Sequence, residues 1–283
     1  MSLNAVALDI DGSILRQGIS DHFEVKWISL RMLRDELQFY AKKSAMKEFK
    51  RIIGTQMTEN PVCWLLGSGD FHHLTLAFLE ELKEPFVFVV FDNHTDCSFM
   101  PPKYHCGNWL YHVAQLTLCK QIIHIGATEG YGIIERQTGL SKLVNNGKIV
   151  ALPGWNLSVA HYIETAWLVT GREEVKDLPL YISIDKDVLS QSEALCDWDN
   201  GQMSRIQLYE IVQKIIQHKP LLGADICGEL SGNRVIKSSI VKDRMSRLEH
   251  PRPRFEPTGY TDTMNRETTE KLLQILGVGH VDN

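Results

Sequence analysis

The stretch Phe86-Val87-Phe88-Val89-Val90-Phe91-Asp92-Asn93-His94-Thr95-Asp96 decides how the rest of this chain is read. A short apolar run, the length of a strand, leads straight into three metal-ligand side chains at positions i, i+2 and i+4. On extended backbone alternate residues project to the same face, roughly 6.5–7 Å apart, so such a ladder suits one or two metal ions. Further short apolar runs, Ala5–Ile10, Val62–Leu66, Ile122–Ile125, Ile149–Leu152, Leu180–Ile184 and Leu222–Ile226, are separated by longer segments of helical period. That alternation is the signature of βα repetition and a parallel sheet. In His73–Lys83 the apolar positions Leu74, Ala77, Phe78 and Leu82 share one helical face. Ser204 and Gln207 make a capping box opening a helix over Arg205–His218, and Asn265 is placed to cap a last helix toward Leu276.

In open parallel sheets, sites form beyond the carboxyl ends of the strands, and two more clusters fall there. Ser183-Ile184-Asp185-Lys186-Asp187 sets two carboxylates at i and i+2, and Gly67-Ser68-Gly69-Asp70-Phe71-His72-His73 follows the run Val62–Leu66. A lone Asp-x-Asp after a strand is more often a cap or a turn than a ligand pair. Three such clusters at three strand ends outweigh that bland reading, and together they supply His72, Asp92, His94, Asp96, Asp185 and Asp187. Carboxylate suits Mg²⁺ and Mn²⁺, while an imidazole per metal tilts away from Mg²⁺. The expected cofactor is therefore two Mn²⁺ ions, with Zn²⁺, Fe²⁺ or Ni²⁺ as other divalent choices.

The 283 residues are 43% hydrophobic and 23% charged, with 30 basic against 35 acidic side chains and a formal charge of −5. This composition buries a large core and leaves no electrostatic footprint for nucleic acid or an anionic membrane. A small-molecule substrate is the compatible partner, and a homo-oligomer stays open. No apolar run approaches the length of a membrane span. Asp9 and Asp11 sit where a signal peptide would be apolar, so the expected location is the cytoplasm. The six cysteines form no C-x-x-C pair, and Cys97 and Cys106 read as small fillers. No repeat or linker cuts the chain, which reads as one domain over 1–283. Ser231–Asp262, with Pro251, Pro253 and Pro257 among many charges, reads as an irregular surface excursion.

Over about Leu65 to Ser231 the order of these motifs resembles the arginase/agmatinase ureohydrolase family. Asp92-Asn93-His94-Thr95-Asp96 looks like its central motif and Tyr181–Asp187 like its second. The resemblance implies a three-layer α/β/α sandwich with a mostly parallel sheet of about eight strands. It also implies a binuclear manganese site, in which His72 and Asp96 hold one ion, His94 and Asp187 the other, and Asp92 and Asp185 bridge. The implied chemistry is hydrolysis of a C–N bond at a guanidino, amidino or formimino carbon by a metal-bridging hydroxide. Asp96 would orient that hydroxide, and a nearby histidine would pass the proton to the leaving amine. Glu229, in Ala224–Leu230, is similar to a substrate-facing glutamate, and Gly107-Asn108 to a Gly-Asn that places Asn108 against substrate. Glu129 stands in the loop where the family often puts an acidic residue for the substrate amine.

The chain departs from the family pattern in the details that set substrate. Its first motif is Gly-Asp-Phe-His rather than Gly-Gly-Asp-His, leaving His72 or His73 as ligand, and Glu229 aligns only with a one-residue offset. The loop after Asp187 runs into Cys196-Asp197-Trp198-Asp199 instead of a Pro/Gly/Thr-rich segment, and Leu110 stands where the proton-shuttling histidine is expected, with His105 and His112 the nearest substitutes. Three rivals follow. Ala7–Leu15 resembles the nucleophile motif of haloacid-dehalogenase-type phosphatases, with Asp9 attacking phosphorus, Asp11 as acid/base and Mg²⁺ between them; the alternative for this pair is a strand end and an Asp-Gly turn. A mononuclear zinc deacetylase-like amidohydrolase would use the same fold, against which Asp96, Asp187 and a histidine near position 72 argue for two ions. A non-catalytic metal-loaded scaffold would bind a partner through Ser231–Asp262.

Overall fold

Strand sequences with little polar content fix the middle of the molecule. The computed structural model describes residues 3–54, 56, 61–97, 102–127, 143–144, 146–153, 175–232, 235–249 and 255–281. Its strands are β1 (Asn4–Asp9), β2 (Val25–Ser29), β3 (Tyr40–Ala41), β4 (Val62–Gly67), β5 (Phe86–Asp92), β6 (Tyr104–His105), β7 (Cys119–Gly126), β8 (Ile149–Pro153), β9 (Leu180–Asp185) and β10 (Leu221–Cys227). Eight of them form one sheet in the order β2-β1-β4-β10-β9-β5-β7-β8, and every pairing in it is parallel. Each apolar run read from the sequence is one of these strands. β2 escaped that reading because Val25-Lys26-Trp27-Ile28-Ser29 is an edge strand with no fully buried residue.

The helices are α1 (Ser13–Gln17), α2 (Arg34–Leu37), α3 (Lys43–Ile53), α4 (Thr75–Leu79), α5 (Trp109–Val113), α6 (Arg205–His218), α7 (Ile240–Glu249) and α8 (Gly259–Ile275). Because strand side chains alternate, each strand feeds two cores. Ala5, Ala7, Val87, Val89, Phe91, Ile182 and Ile184 pack with Leu208, Ile211 and Val212 of α6 and Leu272 and Leu273 of α8. Val6, Leu8, Trp64, Phe88 and Val90 pack on the other face with Met46, Phe49 and Ile53 of α3 and with α4 and α5. Two apolar layers around one sheet make the three-layer α/β/α sandwich.

Three local expectations are corrected. The segment His73–Lys83 is not one helix: Gly69–Leu74 is a 3₁₀ turn and only Thr75–Leu79 is α-helical. Helix α8 starts earlier than Asn265, because Thr258 and Thr261 form a capping box at its N-terminus. Asn265 is buried inside it and clamps the chain at Leu195, donating to its carbonyl at 2.9 Å and accepting from its amide at 3.1 Å. Finally, the stretch Ser231–Asp262 holds all of α7 and the first turn of α8. Charges and prolines obscured α7, which docks through Lys242 onto the carbonyls of Asp35 and Glu36 at 2.8 and 3.0 Å. Pro251 and Pro253 lie outside the described residues.

Asp9 and Asp11 take the turn role. Asp9 pairs with Arg31 at 2.8 Å. Asp11 accepts from the Ser13 amide and hydroxyl at 2.9 and 2.6 Å and from the Ser68 amide at 3.3 Å. These contacts are those of a strand end and an Asp-Gly turn. Among the described residues no helix is long and apolar enough to cross a membrane.

Candidate metal centre

The ligand clusters stand at the carboxyl ends of β4, β9 and β5, and β10 lies between β4 and β9. The extended ladders inferred from spacing are corrected to turns. β5 ends at Asp92, and Asp96 lies in the left-handed region at φ 45°, a conformation costing a non-glycine residue on the order of 1 kcal/mol. Asp92 Oδ1 accepts from the His94 amide at 2.6 Å, folding the chain back so that His94 and Asp96 reach the site. After β9, Asp185 caps the 3₁₀ turn Lys186–Val188 by accepting from the Asp187 amide at 3.0 Å. The cap and ligand readings of Asp-x-Asp are thus compatible, since one oxygen caps and the other faces the site.

Six of the side chains named from sequence come together. His72 Nδ1 lies 3.0 Å from Asp92 Oδ2, 3.4 Å from Asp185 Oδ2 and 3.8 Å from Asp96 Oδ2. His94 Nδ1 lies 2.8 Å from Asp187 Oδ2 and 3.7 Å from Asp92 Oδ1. His72 rather than His73 is the histidine of this cluster; the His73 ring nitrogens are buried and make no hydrogen bond. Asp92 touches both histidines and so stands between two ligand groups, His72/Asp92/Asp96 and Asp92/His94/Asp187.

A chain of hydrogen bonds fixes how His72 presents itself. Ser183 has one hydroxyl proton, and it donates to Asp225 Oδ1 at 2.6 Å. The 2.8 Å contact between His72 Nε2 and Ser183 Oγ then requires His72 Nε2–H as donor. In a neutral ring that leaves the Nδ1 lone pair aimed at three carboxylates, with no hydrogen bond of its own. Only a cation or a proton makes this arrangement favourable. Burial by itself would lower the His72 pKa, but Asp92, Asp185 and Asp96 outweigh it and push it up to about 10. Burial and neighbouring carboxylates push Asp185 up to about 8, Asp96 well above the usual range and Asp187 upward. Asp92 alone is lowered, because its two histidines overcome burial. Four buried carboxylates that cannot all ionise beside two imidazoles fit a pair of divalent cations.

Neighbouring residues orient the cluster. Trp109, at the start of α5, donates its indole N–H to Asp96 Oδ2 at 2.6 Å and packs its ring 4.5 Å from that of His72. A Cβ on Gly126 would fall 2.1 Å from the Asp92 carbonyl, so only glycine lets β7 pass there. Trp198 meets the His94 ring edge-on at 5.3 Å and donates to Asp70 Oδ1 at 3.2 Å. His94 is the accessible ligand, its side chain 30% exposed. Trp109, Trp198 and the Ser183–Asp225 pair escaped the sequence reading because apolar aromatics and strand hydroxyls carry no ligand signature. Cys227 was missed as well; its signal was the i, i+2 spacing from Asp225 on β10. Its Sγ donates to Asp185 Oδ2 at 3.1 Å, and it forms a third ligand group with His72 and Asp185.

The remaining expectations separate. Glu229 is corrected: it is fully buried in an ion pair with Lys186 and accepts from Gln17 Nε2 at 2.5 Å, so its carboxylate serves the packing of α1 and α8 rather than facing substrate. His105 is likewise corrected. Its ring packs against Phe39 and Tyr40, its Nδ1 accepts from the Gly107 amide at 2.9 Å, and burial lowers its pKa to about 4. A ring held neutral in this way is a poor proton carrier near neutrality. Asn108 is buried at the entry to α5 and donates to the Pro102 carbonyl at 2.8 Å. Leu110 is fully buried. Glu129 lies outside the described residues.

The His105 environment predicts an acid-sensitive window. Its pKa is depressed in the fold, so the unfolded chain binds the proton first, and stability falls as pH drops from 6.5 through about 4. The loss is up to about 3 kcal/mol, and His105→Phe is expected to flatten it in urea titrations at pH 7, 5.5 and 4. An unchanged pH slope in the variant would refute the assignment.

Comparison with known proteins now has a site to attach to. Residues 13–231 match the model of the arginase family. The chain belongs to the arginase family. An uncharacterized protein of Thermotoga maritima is 31% identical over 170 residues; the match covers 58% of this chain and 56% of that relative, little more than half the length of either. Among solved structures, the proclavaminate amidino hydrolase of Streptomyces clavuligerus superposes with a TM-score of 0.63 at 16% identity, covering 98% of this chain and 91% of that one. Formimidoylglutamase of Bacillus subtilis gives 0.58 at 12%, covering 98% and 88%. Arginase of Entamoeba histolytica, in complex with L-ornithine, gives 0.62 at 12%, covering 98% and 100%. At such identities these likenesses concern the fold.

Proposed function

We propose that this arginase-family protein is a hydrolase that uses two divalent cations, Mn²⁺ first, to cleave a C–N bond at a guanidino, amidino or formimino carbon of a small molecule. The observation that carries the reading is the convergence of His72, Asp92, Asp96, His94, Asp185 and Asp187 into overlapping groups, His72/Asp92/Asp96, Asp92/His94/Asp187 and His72/Asp185/Cys227, within each of which the ligand atoms lie within 4.8 Å of one another. The family match supports it, as do neighbours named amidino hydrolase, formimidoylglutamase and arginase. Overlap through Asp92 favours two ions over the single zinc of a deacetylase-like enzyme. The free, buried cysteines suit a reducing cytoplasm.

When bound, such cations supply Lewis acidity and lower the pKa of water. The chain's own side chains do the rest. Ser183 and Asp225 lock the His72 ring so that Nδ1 faces the site. Trp109 holds Asp96 by its Oδ2, and this carboxyl, raised by burial, is the group best placed to take and return a proton. Substrate arrives on the side where His94 is open, with Trp198 as an aromatic wall that suits a planar amidinium group.

The test is a release assay for ammonia, urea and formamide, run on Mn²⁺-loaded protein against guanidino, formimino and acylamino compounds. Turnover with one class, abolished by chelation and restored by Mn²⁺, is expected. Absence of turnover across the panel would favour the non-catalytic scaffold.

A further inference from the structure

Cys227 occupies a place that a packing cysteine has no need of. The register of β10 against β4 shifts between Ile226 and Cys227, and a shift of this kind re-aims side chains at a strand end. The next residue, Gly228, is left-handed at φ 91°, and a Cβ there would lie 2.3 Å from Asp185 Oδ1. Glycine therefore brings the β10 backbone hard against the ligand-bearing turn. Cys227, fully buried, places its sulfur 3.1 Å from Asp185 Oδ2. The second observation is independent of the cysteine. His72 Nδ1, also buried and without a hydrogen bond, faces the same space, and one ligand atom each of His72, Asp185 and Cys227 lie within 4.8 Å of one another.

We propose that Cys227 is a thiolate ligand of the cation held by His72, Asp92, Asp96 and Asp185. This rests on the two-cation reading above. It makes the two metal positions chemically unequal, because the group Asp92, His94 and Asp187 offers only nitrogen and oxygen. A soft sulfur donor selects borderline ions such as Zn²⁺, Co²⁺ or Fe²⁺ over Mn²⁺, so a mixed pair is the favoured loading, with Mn²⁺ at the second position. As the sulfur–metal bond forms the S–H bond breaks and its proton leaves to solvent, so loading releases one more proton than an all-oxygen and nitrogen site would.

The test loads the full chain with Co²⁺ and records its near-ultraviolet spectrum alongside metal analysis. A thiolate-to-cobalt charge-transfer band is expected in the wild type and in Cys196→Ala. It is expected to vanish in Cys227→Ala, which still binds two ions but holds one of them roughly tenfold or more weaker. Cys227→Val, which leaves no cavity and offers no donor atom, gives the same reading should the alanine variant not fold. Two bound Co²⁺ ions without the band, or a band that survives in the Cys227 variant, would overturn the thiolate ligand and leave the two-cation reading standing. A wild type that binds no Co²⁺ would bring both down.

Discussion

Asp92→Asn and Asp185→Asn are each expected to lower turnover by roughly three orders of magnitude, the scale lost when one charge-stabilising group is removed from a reacting centre. The substitution keeps side-chain volume and an oxygen that can still accept from the His94 or Asp187 amide, so the two turns persist. What disappears is a negative charge shared between groups: Asp92 belongs to the sets around both histidines, and Asp185 approaches His72 at 3.4 Å. Metal analysis should show fewer than two ions per chain in both variants. Asp9→Asn is the control, because it removes only a contact with a half-exposed arginine and should leave turnover unchanged. Near-full activity in Asp185→Asn would sink the assignment of a shared cation pair, and loss of activity in Asp9→Asn alone would revive the phosphatase reading.

The main-chain architecture could be read from sequence wherever burial was two-sided. Phe86–Asp92 and Leu180–Asp185 are buried along their whole length, so hydrophobicity marked them without ambiguity. Val25–Ser29 is a half-exposed edge with no fully buried residue to mark it, whereas Lys43–Ile53 carries an intact apolar stripe of Ala45, Met46, Phe49 and Ile53 with its lysines on the opposite face. At the site, residue type and strand-end position picked out side chains that the fold brings together, while the choice between His72 and His73 needed the structure. Spacing misled about the backbone. An i, i+2, i+4 pattern looks like an extended ladder, yet Asp92 and Asp185 spend one oxygen each on capping the following turn. Roles that depend on who is nearby in space, such as Lys186 taking up Glu229 or Phe39 and Tyr40 enclosing His105, leave no trace in the local sequence.

Metal is expected to stabilise this protein most strongly at alkaline pH, and Asp185 gives the sign. Its carboxyl, normally near 3.8, is pushed up to about 8 in the folded chain without metal, by burial first and then by Asp187 and Asp92. Between these values the folded state keeps a proton that the unfolded state has released, so stability is fully present below 3.8 and is lost as pH rises through about 8. A cation replaces the proton and removes the loss. At a free Mn²⁺ concentration a thousandfold above its dissociation constant the gain is about 4 kcal/mol, which for a chain of this size corresponds to roughly 10 °C in Tm. Calorimetry of the chelated protein should therefore find the melting temperature of wild type falling relative to that of Asp185→Asn between pH 5 and pH 8, with Mn²⁺ raising the wild-type pH 8 transition by about that amount. Asp185→Asn, which carries no ionisable group at this position, should melt above the chelated wild type at pH 8 and respond far less to Mn²⁺. Equal transitions for chelated and Mn²⁺-loaded wild type at pH 8 would mean that the carboxylate cluster is satisfied by the protein alone, and the cation pair would lose its physical basis.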